Sequence, residues 1–468
     1  MTTSASKLLL LLLCSYHTLS IARPGDDRDV VCSEPKATPS SGNVTVPLHH
    51  RYGPCSPLLS KKAPTLEEIL RGDQLRANYI LRKFSGAGAG DAELSDAATV
   101  PTTLGSSLNT LQYVITVGIG SPAVAQTVFI DTGSDPCPQC RAQADPLFDP
   151  TKSSTYSPFS CSSAECAQLD ADGNGNGCSP SSQQCQFAVN YFDGSSTTGT
   201  YSSDTLALGS GGDAPVEGFR FGCSHAASAI NGRDLTGGLM GPGRGAQSLV
   251  SQTAATFGSA FSYCLPATPS SSEFLTLGAA ASSGAGAGFA TTPILSNSDA
   301  PTFYGVLLEG ITVDGKPLDL DPTVFSAGSI MDSGTVITRL PPTAYAALSS
   351  AFKAGMTQYP LAPPSSILDT CFDLTGQSNV TVPSVALVFS GGVAVGLDLN
   401  GVILGGCLAF AATSDDDTTG FIGNVQRRTF EVLYDVGRGA VGFKAGYACL
   451  LVCDFACEII RGMHEEAL

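Results

Sequence analysis

One six-residue pattern occurs twice in the chain, and this duplication restricts the possible folds more than any other feature. Phe129–Ser134 (FIDTGS) and Ile330–Thr335 (IMDSGT) each contain two apolar residues, Asp, a hydroxyl residue, Gly and a second hydroxyl residue. The copies lie 201 residues apart, and each is followed downstream by two apolar residues and Gly, at 239–241 and 421–423. Two extended copies with matching partners predict a chain built from two similar halves.

The two aspartates of this pattern, Asp131 and Asp332, are the candidate catalytic residues. Glycine in a tight turn allows a backbone path that a Cβ would obstruct, and nearby hydroxyls can fix the outer carboxylate oxygens. Two carboxylates about 3 Å apart cannot both ionise and share one proton. One can then act as a base on water while the other protonates a carbonyl. The alternative is two aspartates that only cap loops. The residues expected to support the pair are Thr132, Gly133, Ser134, Ser333, Gly334 and Thr335.

The composition of the chain and its short strand-like runs predict an all-β protein. Only 14% of the residues are charged, 52 are Gly, and short β-branched or aromatic runs such as 113–117, 304–308 and 385–389 alternate with turn residues. The most convincing helices after residue 100 are 247–257 and 342–356. After the N-terminus no apolar run reaches the length that a membrane span requires.

Residues 1–22 have the pattern of a signal peptide, with Lys7 before the apolar run Leu8–Leu13 and small residues near Ala22. Secretion places the cysteines in an oxidising compartment, where disulfides are expected. Asn43 and Asn379 begin sequons for glycosylation. The 13 cysteines after residue 100 are an odd number, which suggests one unpaired or intermolecular thiol.

Residues 23–99 hold a basic stretch, from Arg51 to Lys83, ahead of an acidic body. Thr65–Glu68 is a capping-box pattern that opens an amphipathic stretch to Phe84, and Ser85–Gly90 has the composition of a flexible linker. Residues 101–468 carry 13 Lys and Arg against 31 Asp and Glu, which argues against nucleic acid or an anionic membrane as partner. The segment is either a propeptide that lies over an acidic groove or a solvated helix.

The chain resembles the pepsin family, in its plant nepenthesin-type branch, through both Asp motifs and through segments such as 46–55, 145–150, 261–265 and 337–342. The resemblance implies a bilobal all-β fold with the active-site cleft between two pseudo-symmetric lobes, at 100–290 and 291–449. It also implies acid peptide hydrolysis, polypeptide substrates, inhibition by the chain's own propeptide and a monomeric state. It implies neither a cofactor nor a metal ion.

The family closes its cleft with a flap that carries a tyrosine. Tyr191 has that position here, and Asp193 and Gly194 follow it as further candidate flap residues. Without the two aspartates, the pattern at Tyr191, an aromatic residue at a strand end, would favour core packing instead.

Three departures from the family pattern predict a weakened enzyme or a gene-model error. After Asp135 the chain continues directly into Cys137–Cys140 and contains no Trp, so a strand that lines the family's cleft is shortened. Phe192 replaces the flap glycine. Residues 450–468 form an atypical tail with two further cysteines. The spacing of Cys137 and Cys140 suits zinc or redox chemistry, but the family places a disulfide-rich insertion there.

The sequence is therefore compatible with two functions. The first is an aspartic endopeptidase made as a zymogen and secreted to the cell wall or vacuole. The second is a catalytically weak or inert binding protein on the same fold, or an inhibitor of glycan-degrading enzymes, because fold alone does not fix function.

Overall fold

The computed structural model of the chain describes twelve ranges of residues. They are 43–58, 63–84, 113–134, 146–190, 196–208, 214–228, 238–266, 272–278, 288–296, 301–377, 379–428 and 430–445.

Short strands dominate these ranges, which confirms the predicted all-β class. In chain order they are β1 (Asn43–His50), β2 (Tyr113–Ile119), β3 (Val124–Ile130), β4 (Ser157–Pro158), β5 (Gly175–Cys178), β6 (Cys185–Asn190), β7 (Ser196–Leu208), β8 (Ala214–Ser228), β9 (Leu239–Met240), β10 (Ala260–Cys264), β11 (Ser272–Gly278), β12 (Ala290–Pro293), β13 (Gly305–Val306), β14 (Leu308–Val313), β15 (Lys316–Pro317), β16 (Ser329–Met331), β17 (Thr338–Leu340), β18 (Leu361–Ala362), β19 (Cys371–Phe372), β20 (Val385–Phe389), β21 (Val393–Gly396), β22 (Ile403–Leu404), β23 (Cys407–Leu408), β24 (Phe410–Ala412), β25 (Gly420–Ile422), β26 (Phe430–Asp435) and β27 (Ala440–Ala445).

Helices are few in the described ranges. They are α1 (Leu66–Phe84), α2 (Ala164–Ala171), α3 (Leu249–Phe257), α4 (Pro342–Gly355) and α5 (Leu399–Val402), with 3₁₀ turns at Pro150–Lys152, Pro322–Phe325 and Val425–Arg427. The predicted helix at 247–257 begins two residues later, because the Ser248 side chain accepts a hydrogen bond from the Ser251 amide as its N-cap. The predicted strand 304–308 is divided between β13 and β14.

Within the described residues the strands form four sheets. The largest contains 14 strands, and its main path runs β12-β27-β26-β10-β11-β1-β2-β7-β6-β5. A second sheet follows the order β13-β16-β25-β17-β24, and two four-stranded sheets complete the C-terminal half. Strands from the C-terminal end therefore pair with strands from the first half. The lobe boundaries at 100–290 and 291–449 remain predictions.

The duplicated pattern corresponds to a duplicated strand arrangement. In the first half β3 pairs in parallel with β9, so that Ile130 lies beside Met240. In the second half β16 pairs in parallel with β25, so that Met331 lies beside Ile422. The two apolar-apolar-Gly segments thus lie next to the two Asp motifs, as the sequence predicts for two similar halves.

The segment before residue 85 is built into the body of the molecule. Strand β1 lies between β11 and β2, with seven residue pairs to β11 and two to β2. Its side chains are alternately half-buried and buried, which is the period of a strand with one face on the core. Helix α1 then packs Leu70, Ala77 and Ile80 into apolar clusters of the C-terminal half.

Candidate active site

Asp131 and Asp332 begin two equivalent turns at the ends of β3 and β16. The Asp131 amide donates to the Met240 carbonyl at 3.4 Å, and the Asp332 amide donates to the Ile422 carbonyl at 3.3 Å. Both carboxylates are fully buried. The parallel pairing of each strand with its apolar-apolar-Gly partner therefore delivers the two carboxylates in the same way.

A hydroxyl group holds the outer oxygen of each carboxylate, as expected from the sequence. Ser134 Oγ donates to Asp131 Oδ2 at 2.6 Å, and Thr335 Oγ1 donates to Asp332 Oδ2 at 2.6 Å. Hydrogen bonds to a charged acceptor are shorter and stronger than neutral ones. Each hydroxyl therefore fixes the rotamer of its carboxylate.

The glycines of the two motifs are needed for close approach across the site. The amides of Gly133 and Gly334 each donate to the inner oxygen of their own aspartate at 3.1 Å. A Cβ on Gly133 would lie 2.7 Å from Asp332 Oδ1. A Cβ on Gly334 would overlap the guanidinium of Arg76. Glycine is therefore required at these two positions, because a larger residue would leave no room for the facing groups.

Thr132 and Ser333 join the two turns by reciprocal hydrogen bonds. The Thr132 amide donates to Ser333 Oγ at 2.9 Å, and the Ser333 amide donates to Thr132 Oγ1 at 2.8 Å. Thr132 Oγ1 donates in turn to the Met331 carbonyl at 3.2 Å. These bonds are buried, so the cross-link fixes the spacing of the two aspartates.

Residues that follow β25 stabilise the turn that contains Asp332. The Asn424 amide donates to the Thr335 carbonyl at 2.8 Å, and Asn424 Nδ2 donates to the Ser333 carbonyl at 3.1 Å. The fully buried Arg427 donates from Nε to the Gly423 carbonyl at 3.0 Å. The glycine turn beside Asp332 is thus held by side chains that solvent does not reach.

Arg76 from helix α1 occupies the space between the two carboxylates. Its Nη2 lies 2.7 Å from Asp131 Oδ1 and 2.8 Å from Asp332 Oδ1, and its Nε lies 2.7 Å from Asp332 Oδ2. The Arg76 side chain is only 5% exposed. A single guanidinium therefore bridges both aspartates and contacts both inner oxygens.

The two carboxyls have different acidities in this arrangement. For Asp332, burial favours the neutral form, but the charge and hydrogen bonds of Arg76 outweigh it and lower the pKa to about 2. For Asp131, burial dominates and the nearby Asp332 adds to it, so the pKa is raised despite the charge of Arg76. Burial also opposes the charge on Arg76, yet the two carboxylates raise its pKa. The two carboxyls therefore titrate as one coupled pair in which Asp332 is the more acidic member.

A second ion pair anchors α1 one turn before Arg76. The fully buried Asp73 accepts hydrogen bonds from the Val336 amide at 2.6 Å and from Arg339 Nη1 at 2.7 Å. Thr65 and Glu68 form the predicted capping box at the start of the helix, with 2.7 Å from the Thr65 amide to Glu68 Oε2. The helix is thus held at its start, at Asp73 and at Arg76.

The structure places the two aspartates and their six supporting residues together. Tyr191, Asp193 and Gly194 lie outside the described residues, although the strands on either side pair with Asn190 opposite Ser196. The segment after Asp135, with Cys137 and Cys140, and the tail 450–468 also lie outside them. Within the described ranges, no group of His, Cys, Asp or Glu side chains could hold a metal ion.

Two site residues, Arg76 and Asp73, were not singled out by the sequence analysis. By sequence, Arg76 is one of several basic residues between Arg51 and Lys83, and Asp73 is one of three acidic residues among them. A signal was present, because Asp73 lies on the helical face of the buried Leu70, Ala77 and Ile80. A charged residue among buried ones on a helix indicates a buried partner.

Disulfides link cysteines in both halves of the described chain. They join Cys161 to Cys178, Cys166 to Cys185, and Cys371 to Cys407. Cys55, before residue 100, is also disulfide-bonded. The odd number of later cysteines therefore does not by itself establish a free thiol.

Comparison with protein families covers both halves of the chain. A family profile described as Xylanase inhibitor N-terminal matches residues 113–279, and one described as Xylanase inhibitor C-terminal matches residues 303–445. An aspartyl protease family protein of Arabidopsis thaliana is 42% identical over 449 residues, which are 91% of this chain and 92% of the relative. Aspartic proteinase nepenthesin-2 of Nepenthes gracilis is 34% identical over 352 residues, which are 71% of this chain and 77% of the relative.

Solved structures with the same fold have diverged further in sequence. The crystal structure of edgp superposes with a TM-score of 0.60 at 19% identity and covers 88% of this chain and 97% of that chain. Basic 7S globulin from soybean superposes with a TM-score of 0.57 at 20% identity, over 72% of this chain and 92% of that chain. These likenesses concern the fold.

Proposed function

Since the chain belongs to the pepsin-like family of plant aspartic proteases, we propose that it is an acid endopeptidase synthesised as a zymogen, with Asp131 and Asp332 as its catalytic pair. One observation carries the proposal: each aspartate accepts hydrogen bonds from a hydroxyl and a glycine amide, the two turns are joined by reciprocal hydrogen bonds, and the pair together binds one guanidinium. A chain that only bound other molecules would not need this duplicated apparatus.

The proposed chemistry uses the shared proton of the pair. The ionised carboxylate takes a proton from a water molecule, whose oxygen attacks the peptide carbonyl carbon, while the protonated carboxyl donates its proton to the carbonyl oxygen. The tetrahedral intermediate then collapses, the C–N bond breaks, and the leaving nitrogen accepts the proton that the first carboxylate took from water, while a hydroxyl of the intermediate returns a proton to the other carboxylate. The contacts of Ser134 and Thr335 keep the two carboxylates aligned through these steps.

In the zymogen, residues 23–99 act as the propeptide. Arg76 contacts both inner carboxylate oxygens, where the water and the peptide carbonyl would bind, so the docked helix and the substrate exclude each other. The predicted linker Ser85–Gly90 follows the helix, and cutting there would separate α1 from the body. It lies outside the described residues.

Polypeptides are the proposed substrates, with bulky apolar residues on either side of the cut, and the protein acts as a monomer. The predicted signal peptide and the disulfides favour secretion, to the cell wall or to the vacuole. Asn379 is exposed and available for glycosylation. Within the described ranges, no helix combines the length and apolar character needed to cross a bilayer.

The direct test replaces each aspartate by asparagine. The secreted full chain is acidified and assayed on casein or haemoglobin, with and without pepstatin. Asp131→Asn and Asp332→Asn are expected to abolish pepstatin-sensitive cleavage, whereas Asp319→Asn, at an exposed carboxylate, is the matched control and keeps it. Cleavage by either dyad variant at the wild-type rate would refute the assignment.

The second candidate function is an inert binding protein or an inhibitor of glycan-degrading enzymes, and the description of the two matching profiles favours it. It predicts inhibition of a xylanase by the full chain and no proteolysis at any pH. Inhibition that survives Asp332→Asn, together with absent cleavage, would establish this function in place of proteolysis.

A further inference from the structure

The carboxylate of Asp73 is bound by a receptor that belongs to the C-terminal half of the chain. The Val336 amide donates to Oδ1 at 2.6 Å, the Ile337 amide donates to Oδ2 at 3.3 Å, and Arg339 Nη1 donates to Oδ2 at 2.7 Å. Asp73 is fully buried and the Arg339 side chain is 2% exposed. Two backbone donors and one guanidinium on a single carboxylate make an anion site, defined here as the Arg339 receptor.

The receptor lies next to the catalytic pair. Val336 directly follows Thr335, whose hydroxyl holds Asp332, and Arg339 lies on β17 beside Phe421 of β25. On α1, Asp73 precedes Arg76 by three residues, which corresponds to about 4.5 Å along the helix axis. An extended peptide advances about 3.3 Å per residue, so this distance equals one or two substrate residues.

The receptor retains unused capacity for an anion. Apart from Asp73, the Arg339 guanidinium contacts the Ile337 carbonyl at 3.2 Å and Gln74 Oε1 at 3.5 Å. Its Nε is buried and has no hydrogen-bond acceptor among the residues that the structure describes. Arg339 is not used by the proposed chemistry, and its Asp73 and Gln74 partners both belong to α1.

Departure of α1 removes the acceptor but leaves the donors. A buried cation without its counter-charge is costly, and a guanidinium fork matches a carboxylate in geometry. A peptide that replaces α1 in the cleft therefore binds most tightly when it carries a carboxylate at the place of Asp73.

We propose that the Arg339 receptor selects substrates by binding an acidic side chain, Asp or Glu, one or two residues from the cleaved bond. This inference rests on the proposed proteolytic function and adds a substrate class to it. The propeptide then acts as a pseudosubstrate at two points, with Arg76 on the catalytic carboxylates and Asp73 in the receptor.

The test measures selectivity between paired peptides. C-terminally amidated peptides carry a single Glu or its neutral match Gln at each of the three positions on either side of one cleavable bond. They are assayed with the acid-activated full chain at about pH 5, above the ordinary pKa of glutamate. At one position kcat/KM is expected to be about tenfold or more higher for Glu than for Gln, the effect of one charge-assisted hydrogen bond.

Variants separate recognition from stability. Arg339→Gln is expected to bring the Glu/Gln ratio to about one while the Gln peptide is still cleaved, and Arg339→Lys to restore part of the ratio. Lys353→Gln removes an equal charge from the exposed last turn of α4 and is expected to leave the ratio unchanged. If Arg339→Gln does not fold, the wild-type ratios alone decide the question.

Two failures are distinguishable. Cleavage with equal rates for Glu and Gln at every position overturns the receptor and leaves the protease assignment intact. If no peptide is cleaved, the protease assignment fails, and fluorescence anisotropy of the same labelled peptides on the acidified chain tests the receptor. Tighter binding of a Glu peptide that is lost in Arg339→Gln supports it, and equal binding of both peptides overturns it.

Discussion

Replacing Arg76 by glutamine is expected to uncover the proposed catalytic pair, Asp131 and Asp332, without cutting the chain. The substitution removes the three hydrogen bonds of 2.7 to 2.8 Å and leaves two fully buried carboxylates without the cation that bridges them. Removing one partner of a buried ion pair costs about 3–5 kcal/mol. Since 1.4 kcal/mol is a factor of ten, the ratio of docked to undocked α1 should fall about a hundredfold to several thousandfold.

The assay compares uncut full chains at a pH where the wild type is latent. Pepstatin binding and peptide cleavage are measured before any acid treatment, with the chain length checked by mass spectrometry. The control is Arg71→Gln on the same helix. Arg71 is half exposed and forms an ion pair of 3.7 Å with Glu67 on the surface, and such pairs contribute little to stability. Refutation would be an Arg76→Gln chain that is folded, uncut and as latent as the wild type.

Three further outcomes follow from the same contacts. The charge of Arg76 favours ionised carboxyls, and the pKa of Asp332 is lowered to about 2 while α1 is docked. Docking is therefore stable above the ordinary Asp pKa of about 4 and weakens as the pH falls toward 2, so release rates independent of pH would contradict it. Thr132→Val leaves the buried Ser333 amide without its acceptor and should lower the free energy of unfolding by about 1–3 kcal/mol in a denaturant titration. Thr65→Ala removes the helix cap, worth about 1 kcal/mol, and should accelerate acid activation about fivefold. An unchanged activation rate would show that the cap does not limit docking.

Local patterns predicted the parts of the fold that depend on local physics. A few consecutive residues are enough to specify each of these parts, and the structure contains them all: both Asp turns, strand 385–389 and the Thr65–Glu68 capping box. The parallel partners of β3 and β16 were found because the chain repeats them. Repetition gave a second, independent copy of the same signal.

Long-range pairing explains what the sequence analysis missed. Arg76 meets Asp332 across 256 residues, and a single Arg in a basic segment has the pattern of a solvated residue. Strand β1 was not predicted for another reason, because Pro47 in its middle argues against a strand inside a sheet. The structure pairs Pro47 with Phe274 of β11, and the described residues of β2 pair with β1 only at His49 and His50, so Pro47 has a paired strand on one side.

Strand β1 has a consequence for the lifetime of the activated protein. Residues 43–50 pair with β11 along most of their length and with β2 at His49 and His50. On the proposed maturation these residues leave with the propeptide, so a sheet built in the zymogen persists with one of its strands removed or replaced. An unfolded mature chain would lack that strand and could not repeat the original assembly. Its survival would then be set by the rate of unfolding rather than by an equilibrium, so activation would be a one-way step for folding as well as for catalysis.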